Sequence, residues 1–344
     1  MGARRRIRIG QIGIGHNHAA ETMRTFRRLR DRFDVVGVVE PDPAWREKRG
    51  REAAYEGLPW LTEEDLFSTD GLDAVAIETD VPDLCATAVR CLRAGKHLQM
   101  DKPTGETWDA FAEVIDEARA RGLTVHMGYM FRTNPAIRFC IDAVREGWLG
   151  DVFEIDAVMS RRDGPEYRAW LSQYAGGALY IFGCHLIDLV ISMMGRPDAI
   201  VPYSRRARPA VDDLCDNGMA VLEYEKAVAV VRTTVVEVEG FLRRQLVVCG
   251  DRGTIEIYPI EPFNQRAPAV PRLRMALAEP RGSYRAGYQD VVFPQMPGRY
   301  DDQLIEFADI VCGVHENPYS YDHELLLHEC VLRACGYPLD GDDR

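Results

Sequence analysis

No stretch of the 344-residue chain holds the ~18 consecutive apolar residues that a membrane-spanning helix requires, so no membrane partner is expected. Basic charge is in deficit: 42 lysines and arginines stand against 54 aspartates and glutamates, a net charge of -12. Nucleic-acid binding rests on a basic surface, and no nucleic-acid partner is expected. The nine cysteines (85, 91, 140, 184, 215, 249, 312, 330 and 335) contain no C-x-x-C pair, and their number is odd. Such spacing supports neither a disulfide framework nor a structural zinc site. Most of these cysteines lie inside apolar patterns, as reduced thiols do in the cytoplasm. A signal peptide is not expected either, because Arg8 and Gln11 break the apolar stretch that would have to follow Arg4-Arg5-Arg6. Internal repeats and low-complexity tracts are absent, and a cytoplasmic location is the expectation.

What is present is the texture of an ordinary globular protein, 46% hydrophobic and 28% charged. Its length suggests two domains at ~150 residues each. The first half alternates short β-type runs with helical runs, the pattern of a parallel sheet with crossover helices. Strands are expected at 7–12, 35–39, 72–77, 97–100 and 123–128. Between them, helical periodicity begins at Ala19, runs through Leu84 to Leu92, and returns from about Thr107 to Arg121 before Gly122. This defines a doubly wound parallel, Rossmann-type domain over 1–128. Beyond a helix near 136–145 come strands at 152–160, 218–224, 228–238, 245–249 and 254–258 with little helix between the last four. A mainly antiparallel open sheet in a second α+β domain, 129–344, is therefore expected, overall fold class α/β. Residues 259–297, rich in proline and arginine, fit no element; 301–311 and 322–334 read as closing helices and 341–344 as a polar tail.

The first strand breaks into Gly13-Ile14-Gly15-His16-Asn17-His18 and opens a helix, which brings backbone against a pyrophosphate at a helix N-terminus. Glu40 ends the second strand 25 residues beyond Gly15, where a carboxylate accepts ribose hydroxyls and repels a 2′-phosphate. NAD is thus favoured over NADP. Gly13, Gly15, His16, Asn17, His18, Glu40 and Thr79 are the candidate cofactor contacts of this domain. The third fingerprint glycine is replaced by His18. His16 and His18 form an H-x-H pair with no carboxylate or thiolate near them in sequence, so no metal is expected and the pair is read as lining the turn or capping the helix. Lys102 stands at the carboxyl end of a parallel strand, able to bond a substrate oxygen and exchange a proton with it. His185 and Asp188 share one helix face at i and i+3, and a histidine is the usual base for a hydroxyl proton.

Several separated segments then line up with one family. The Gly13-x-Gly15 turn, Ala94-Gly95-Lys96-His97 leading to Asp101-Lys102-Pro103, Tyr129 through Pro135, Gly176-Gly177 leading to His185-x-x-Asp188, and Gly250 through Glu256 follow in order. On these motifs the chain resembles the Gfo/Idh/MocA oxidoreductases over nearly its whole length. The resemblance implies NAD, a sugar, cyclitol or related polyol as substrate, and catalytic roles for Lys102 and His185. It further implies that Tyr129 and Arg132 lie near nicotinamide or substrate, that Asp188 joins the substrate residues, and that a homo-oligomer, dimer or tetramer, forms through the C-terminal sheet. One departure bears on activity. The aspartate that many members carry four residues before the histidine is Ile181 here, which implies a slower enzyme, an altered substrate or lost turnover. Two other functions are therefore carried beside the dehydrogenase: an NAD-retaining enzyme that uses transient oxidation for elimination or glycosidic cleavage, and a nucleotide-binding protein without turnover.

Overall fold

The computed structural model describes residues 5–261 and 270–339; the expected tail at 341–344 and part of 259–297 lie outside them. The chain divides into two compact units, one running to Tyr129 and joined by Tyr300–His328, the other comprising Met130–Arg299 and the segment from Glu329. A single cut after 128 assigns Tyr300–His328 to the second domain, whereas that segment clusters with the first.

In the first unit, β1 (Ile7–Ile12), β2 (Phe33–Val39), β3 (Ala74–Ile77), β4 (His97–Met100) and β5 (Val125–Met127) form a wholly parallel sheet in the order β2-β1-β3-β4-β5. Such a sheet is covered on both faces, and its central β3 is apolar throughout: Ala74, Val75, Ala76 and Ile77 are all 0% exposed. The crossovers include α1 (Ala19–Arg28), α2 (Pro43–Arg49), α3 (Glu63–Phe67), α4 (Leu84–Arg93) and α5 (Trp108–Arg121). Asp42 caps α2 by accepting from Ala44 N–H at 2.8 Å, and α5 ends where Gly122 turns left-handed at φ 64°. Strand order reverses beside β1, so the carboxyl ends of β1 and β3 flank a switch point, the place where open α/β sheets bind ligands.

The returning segment consists of α9 (Asp301–Val311), after the second unit's α6 (Pro135–Arg145), α7 (Pro165–Leu171) and α8 (Cys184–Met194), and of the first part of α10 (Tyr321–Cys335). It is tied down by Arg28 to Asp301 and Arg32 to Asp309, both at 2.6 Å, and by Tyr321 Oη donating to Leu123 O at 2.7 Å.

The second unit holds an eight-stranded sheet built from β6 (Val152–Val158), β7 (Ala199–Arg205), β8 (Asn217–Tyr224), β9 (Ala227–Thr234), β10 (Gln245–Gly250), β11 (Gly253–Ile257), β12 (Arg272–Leu277) and β13 (Gly287–Val292). Its order is β13-β12-β11-β10-β6-β9-β8-β7, antiparallel except for the β6–β9 pair. Alternation puts Ile155, Ala229, Val231, Leu246, Val248 and Met275 on a buried face, and the largely apolar, buried α8 packs on β6 and β9. The β7, β12 and β13 strands are additions to the expected set. No helix among the described residues is long and apolar enough to cross a membrane.

Candidate functional site

The turn after β1 is built by what its glycines leave out. Gly13 adopts φ 89°, and a Cβ there would stand 2.3 Å from Thr79 N; a Cβ on Gly15 would stand 2.9 Å from the Trp45 indole nitrogen. The turn is sewn to both neighbouring strand ends: Gly13 N–H donates to Val39 O at 2.8 Å and His16 N–H to Glu78 O at 3.0 Å. Ile14 N–H donates to Glu40 Oε2 at 2.7 Å. Arg49, at the end of α2, donates to the carbonyls of Ile14 and His16 at 2.7 Å each. No sequence signal marked Arg49, because a basic residue in a last helical turn is commonplace.

Beside this turn lies a cavity of about 300 Å³ lined by Glu40, Asp42, Trp45, Thr79, Asp80 and Asp83 among others. The lining also includes Arg90, which is directed to Glu63 through two bonds of 2.9 and 2.7 Å. Four carboxylates around a small cavity disfavour an added phosphate dianion and suit neutral hydroxyls. Glu40 already accepts from Ile14 and from Asp42 N–H at 2.8 Å, which leaves a carboxylate about two further lone-pair sites. Burial raises its pKa above the ordinary value, against the pull of those two amides. Thr79 Oγ1 is buried without a hydrogen-bond partner, a hydroxyl that an adjacent ligand would satisfy. The residues present therefore fit a dinucleotide.

Lys102 follows β4 and is 2% exposed. Its N–H donates to Asp101 Oδ1 at 2.7 Å, and its carbonyl lies 3.1 Å from His16 Nε2. The absence of a carboxylate near the H-x-H pair does not survive folding: Asp101 Oδ2 is 3.0 Å from His16 Nδ1 and 2.9 Å from His18 Nδ1. His18 occupies the N-cap of α1 without a side-chain cap bond. Burial lowers its pKa to about 4, against the charge of Asp101. Glu78, 2% exposed, is pushed well above the ordinary carboxylate value by burial and then by Asp101. Asn17 is exposed, and Tyr129, closing this unit, is 1% exposed.

In the second unit, Gly177 adopts φ 48°, and a Cβ on it would stand 2.5 Å from Cys215 O. The chain then makes a π-helical turn, Leu179–Gly183, with Ile181 3% exposed inside it, and enters α8. His185, 2% exposed, packs its ring 5.4 Å from that of Phe131. Asp188, three residues on, directs its carboxylate to Arg132, whose Nε and Nη2 donate at 3.0 to 3.1 and 2.7 Å. That pair, 0% and 4% exposed, fastens α8 to the short helical turn Met130–Thr133. The structure thus groups Gly13, Gly15, His16, His18, Glu40, Thr79 and Lys102 in the first unit and Arg132, His185 and Asp188 in the second.

A glycine turn, an acidic second-strand end and a cavity at the switch point define a dinucleotide-binding doubly wound unit joined to an α+β unit. Residues 7–129 match the model of the oxidoreductase family with an NAD-binding Rossmann fold, and residues 137–256 match the GFO/IDH/MocA C-terminal domain. The chain belongs to the Gfo/Idh/MocA family of oxidoreductases. Bovine trans-1,2-dihydrobenzene-1,2-diol dehydrogenase is 29% identical over 152 residues, 44% of this chain and 45% of that protein, so the match spans under half the relative's length. The match to the macaque protein spans 62% of its length, and that to the human protein, 28% identical, covers 73% of this chain and 74% of that one. A 3-ketoreductase, KijD10 of Actinomadura kijaniata, solved with TDP-benzene and NADP, superposes with a TM-score of 0.75 at 20% identity, over 97% of this chain and 98% of that one. That likeness concerns the fold.

Proposed function

We propose that the protein is an NAD-dependent dehydrogenase that moves hydride between nicotinamide and a hydroxyl-bearing carbon of a sugar, cyclitol or related polyol, in the cytoplasm. The observation that carries the cofactor preference is the cavity ringed by Glu40, Asp42, Asp80 and Asp83 with Arg90 held by Glu63. Relatives named as dehydrogenases of a cyclic vicinal diol support a hydroxyl-bearing carbon as the site of oxidation. Bound NAD would supply the hydride acceptor. Lys102 would hold the substrate oxygen through its ammonium, and His185 would take the hydroxyl proton as the C–H hydride leaves, so that the ketone forms without a free alkoxide. With Ile181 apolar and buried, no carboxylate four residues before His185 shares that proton.

The test is a screen of sugars and cyclitols with NAD, read at the reduced-nicotinamide absorbance band, followed by Lys102→Ala and His185→Ala on the best substrate. Each substitution is expected to lower kcat/KM by roughly a hundred- to ten-thousandfold. Activity unchanged in both variants overturns the assignment.

A further inference from the structure

The cluster behind Lys102 presents a hydrogen-bonding conflict. His16 Nε2 stands 3.1 Å from the Lys102 carbonyl, which only an N–H can satisfy, so in a neutral imidazole Nδ1 carries the lone pair. Consistent with that tautomer, His18 N–H donates to His16 Nδ1 at 3.3 Å. Yet the same lone pair faces Asp101 Oδ2 at 3.0 Å and Glu78 Oε2 at 3.6 Å, and His18 Nδ1 approaches the same Asp101 oxygen at 2.9 Å. Glu78 Oε2 is buried and has no hydrogen-bond partner. With a proton on Nδ1, His18 makes an ordinary hydrogen bond to Asp101, but the His16 lone pair, Asp101 Oδ2 and Glu78 Oε2 still face one another in a buried place where acceptors need a proton or a cation.

We propose that His16 Nδ1, His18 Nδ1, Asp101 Oδ2 and Glu78 Oε2 hold a divalent transition-metal ion of the zinc class. Two neutral imidazoles and two carboxylates around a dication give a net charge of zero, the balance a buried site requires. The ligating atoms of His16, His18 and Asp101 lie within 4.8 Å of one another. Four ligands at ~2.0–2.1 Å from zinc stand roughly 3.3 Å apart, so the pairs at 2.9 and 3.0 Å open by a few tenths of an ångström on binding. The second shell is in place: His16 presents its other nitrogen to a backbone carbonyl, as metal-bound histidines do, and Asp101 Oδ1 accepts from Lys102 N–H. Both contacts fall on the backbone of Lys102, so the ion would stiffen the loop that presents that lysine. The metal assignment does not draw on the dehydrogenase reading: His16 and His18 are also candidate cofactor contacts, but uptake of the ion is read without cofactor or substrate.

Untagged full-length protein is stripped with chelator, dialysed, and titrated separately with Zn²⁺ and Co²⁺, with metal content measured by mass spectrometry and cobalt ligation by X-ray absorption. One ion per chain is expected, with nitrogen and oxygen but no sulfur neighbours. His18→Ala and Glu78→Gln, checked for fold by circular dichroism, should each weaken uptake at least about tenfold. Absence of stoichiometric uptake by the wild-type chain, a sulfur-containing shell, or undiminished uptake in both variants overturns the proposal.

Discussion

His328 is 0% exposed, lies 5.0 Å ring to ring from Phe111, and satisfies both nitrogens, Nδ1 with Thr104 Oγ1 at 2.6 Å and Nε2–H donating to Thr107 O at 3.0 Å. Burial lowers its pKa to about 4, so the native state keeps it neutral while the unfolded chain protonates below about 6.5. The unfolded state therefore binds the extra proton, and stability is full above pH ~6.5 and falls as pH drops toward 4. Urea unfolding across that range should show a loss to which His328 contributes roughly 3 kcal/mol beside the like contribution of His18, so His328→Asn should make the slope shallower by that amount; equal slopes in the two proteins would contradict it. The buried Arg132–Asp188 pair gives a second expectation. Asp188→Asn removes the carboxylate charge that faces the buried Arg132 guanidinium and should destabilise by about 3–5 kcal/mol in thermal or denaturant unfolding, while Arg132→Leu/Asp188→Leu should be milder than the sum of the single losses. At this scale the sequence was informative where a residue acts through its neighbours in the chain. Glu40 and Gly13 could be read because the strand before them fixes where they stand. Asp101 could not be paired with His18, because 83 positions separate them and the loops after β1 and β4 are brought together by the parallel pairing of β1 with β3 and of β3 with β4.

Among the elements, the end of β2 carries the proposed preference for NAD. Glu40→Gln keeps an oxygen for Ile14 N–H but removes one charge from the cavity, and should shift the ratio of NADP to NAD affinity toward NADP by about tenfold, about 1.4 kcal/mol. Fluorescence titration of both dinucleotides reads this directly, and an unchanged ratio would contradict it. Strands flanked by clear punctuation, such as β1 and β4, coincide with the expected bounds, as does α9. The strands that escaped notice did so for identifiable reasons. β7 carries Pro202 and little burial, β13 lies at the sheet edge with few apolar residues, and the alternation of Leu273, Met275 and Leu277 in β12 was obscured by the prolines around it.

For the whole molecule, the outward face of the eight-stranded sheet shows Phe153 at 49%, Val228 at 45%, Tyr288 at 59% and Val292 at 65% exposure beside the ion pairs Arg232–Asp156 and Arg274–Glu256. We propose that this face pairs subunits, as large exposed apolar groups rimmed by charge do. Light scattering should then give a dimer or tetramer that Val228→Glu with Tyr288→Glu converts to a monomer; a monomeric wild type would refute it. The division of the chain was legible only in outline, since composition changes after residue 129 but nothing local announces that Tyr300–His328 returns to the first unit. The proposed preference for NAD rests on the acid-lined cavity. Parallel calorimetric titration of the purified chain with NAD and NADP tests it most directly: one NAD per chain bound more tightly than NADP is predicted, and tighter binding of NADP, or binding of neither, would contradict it.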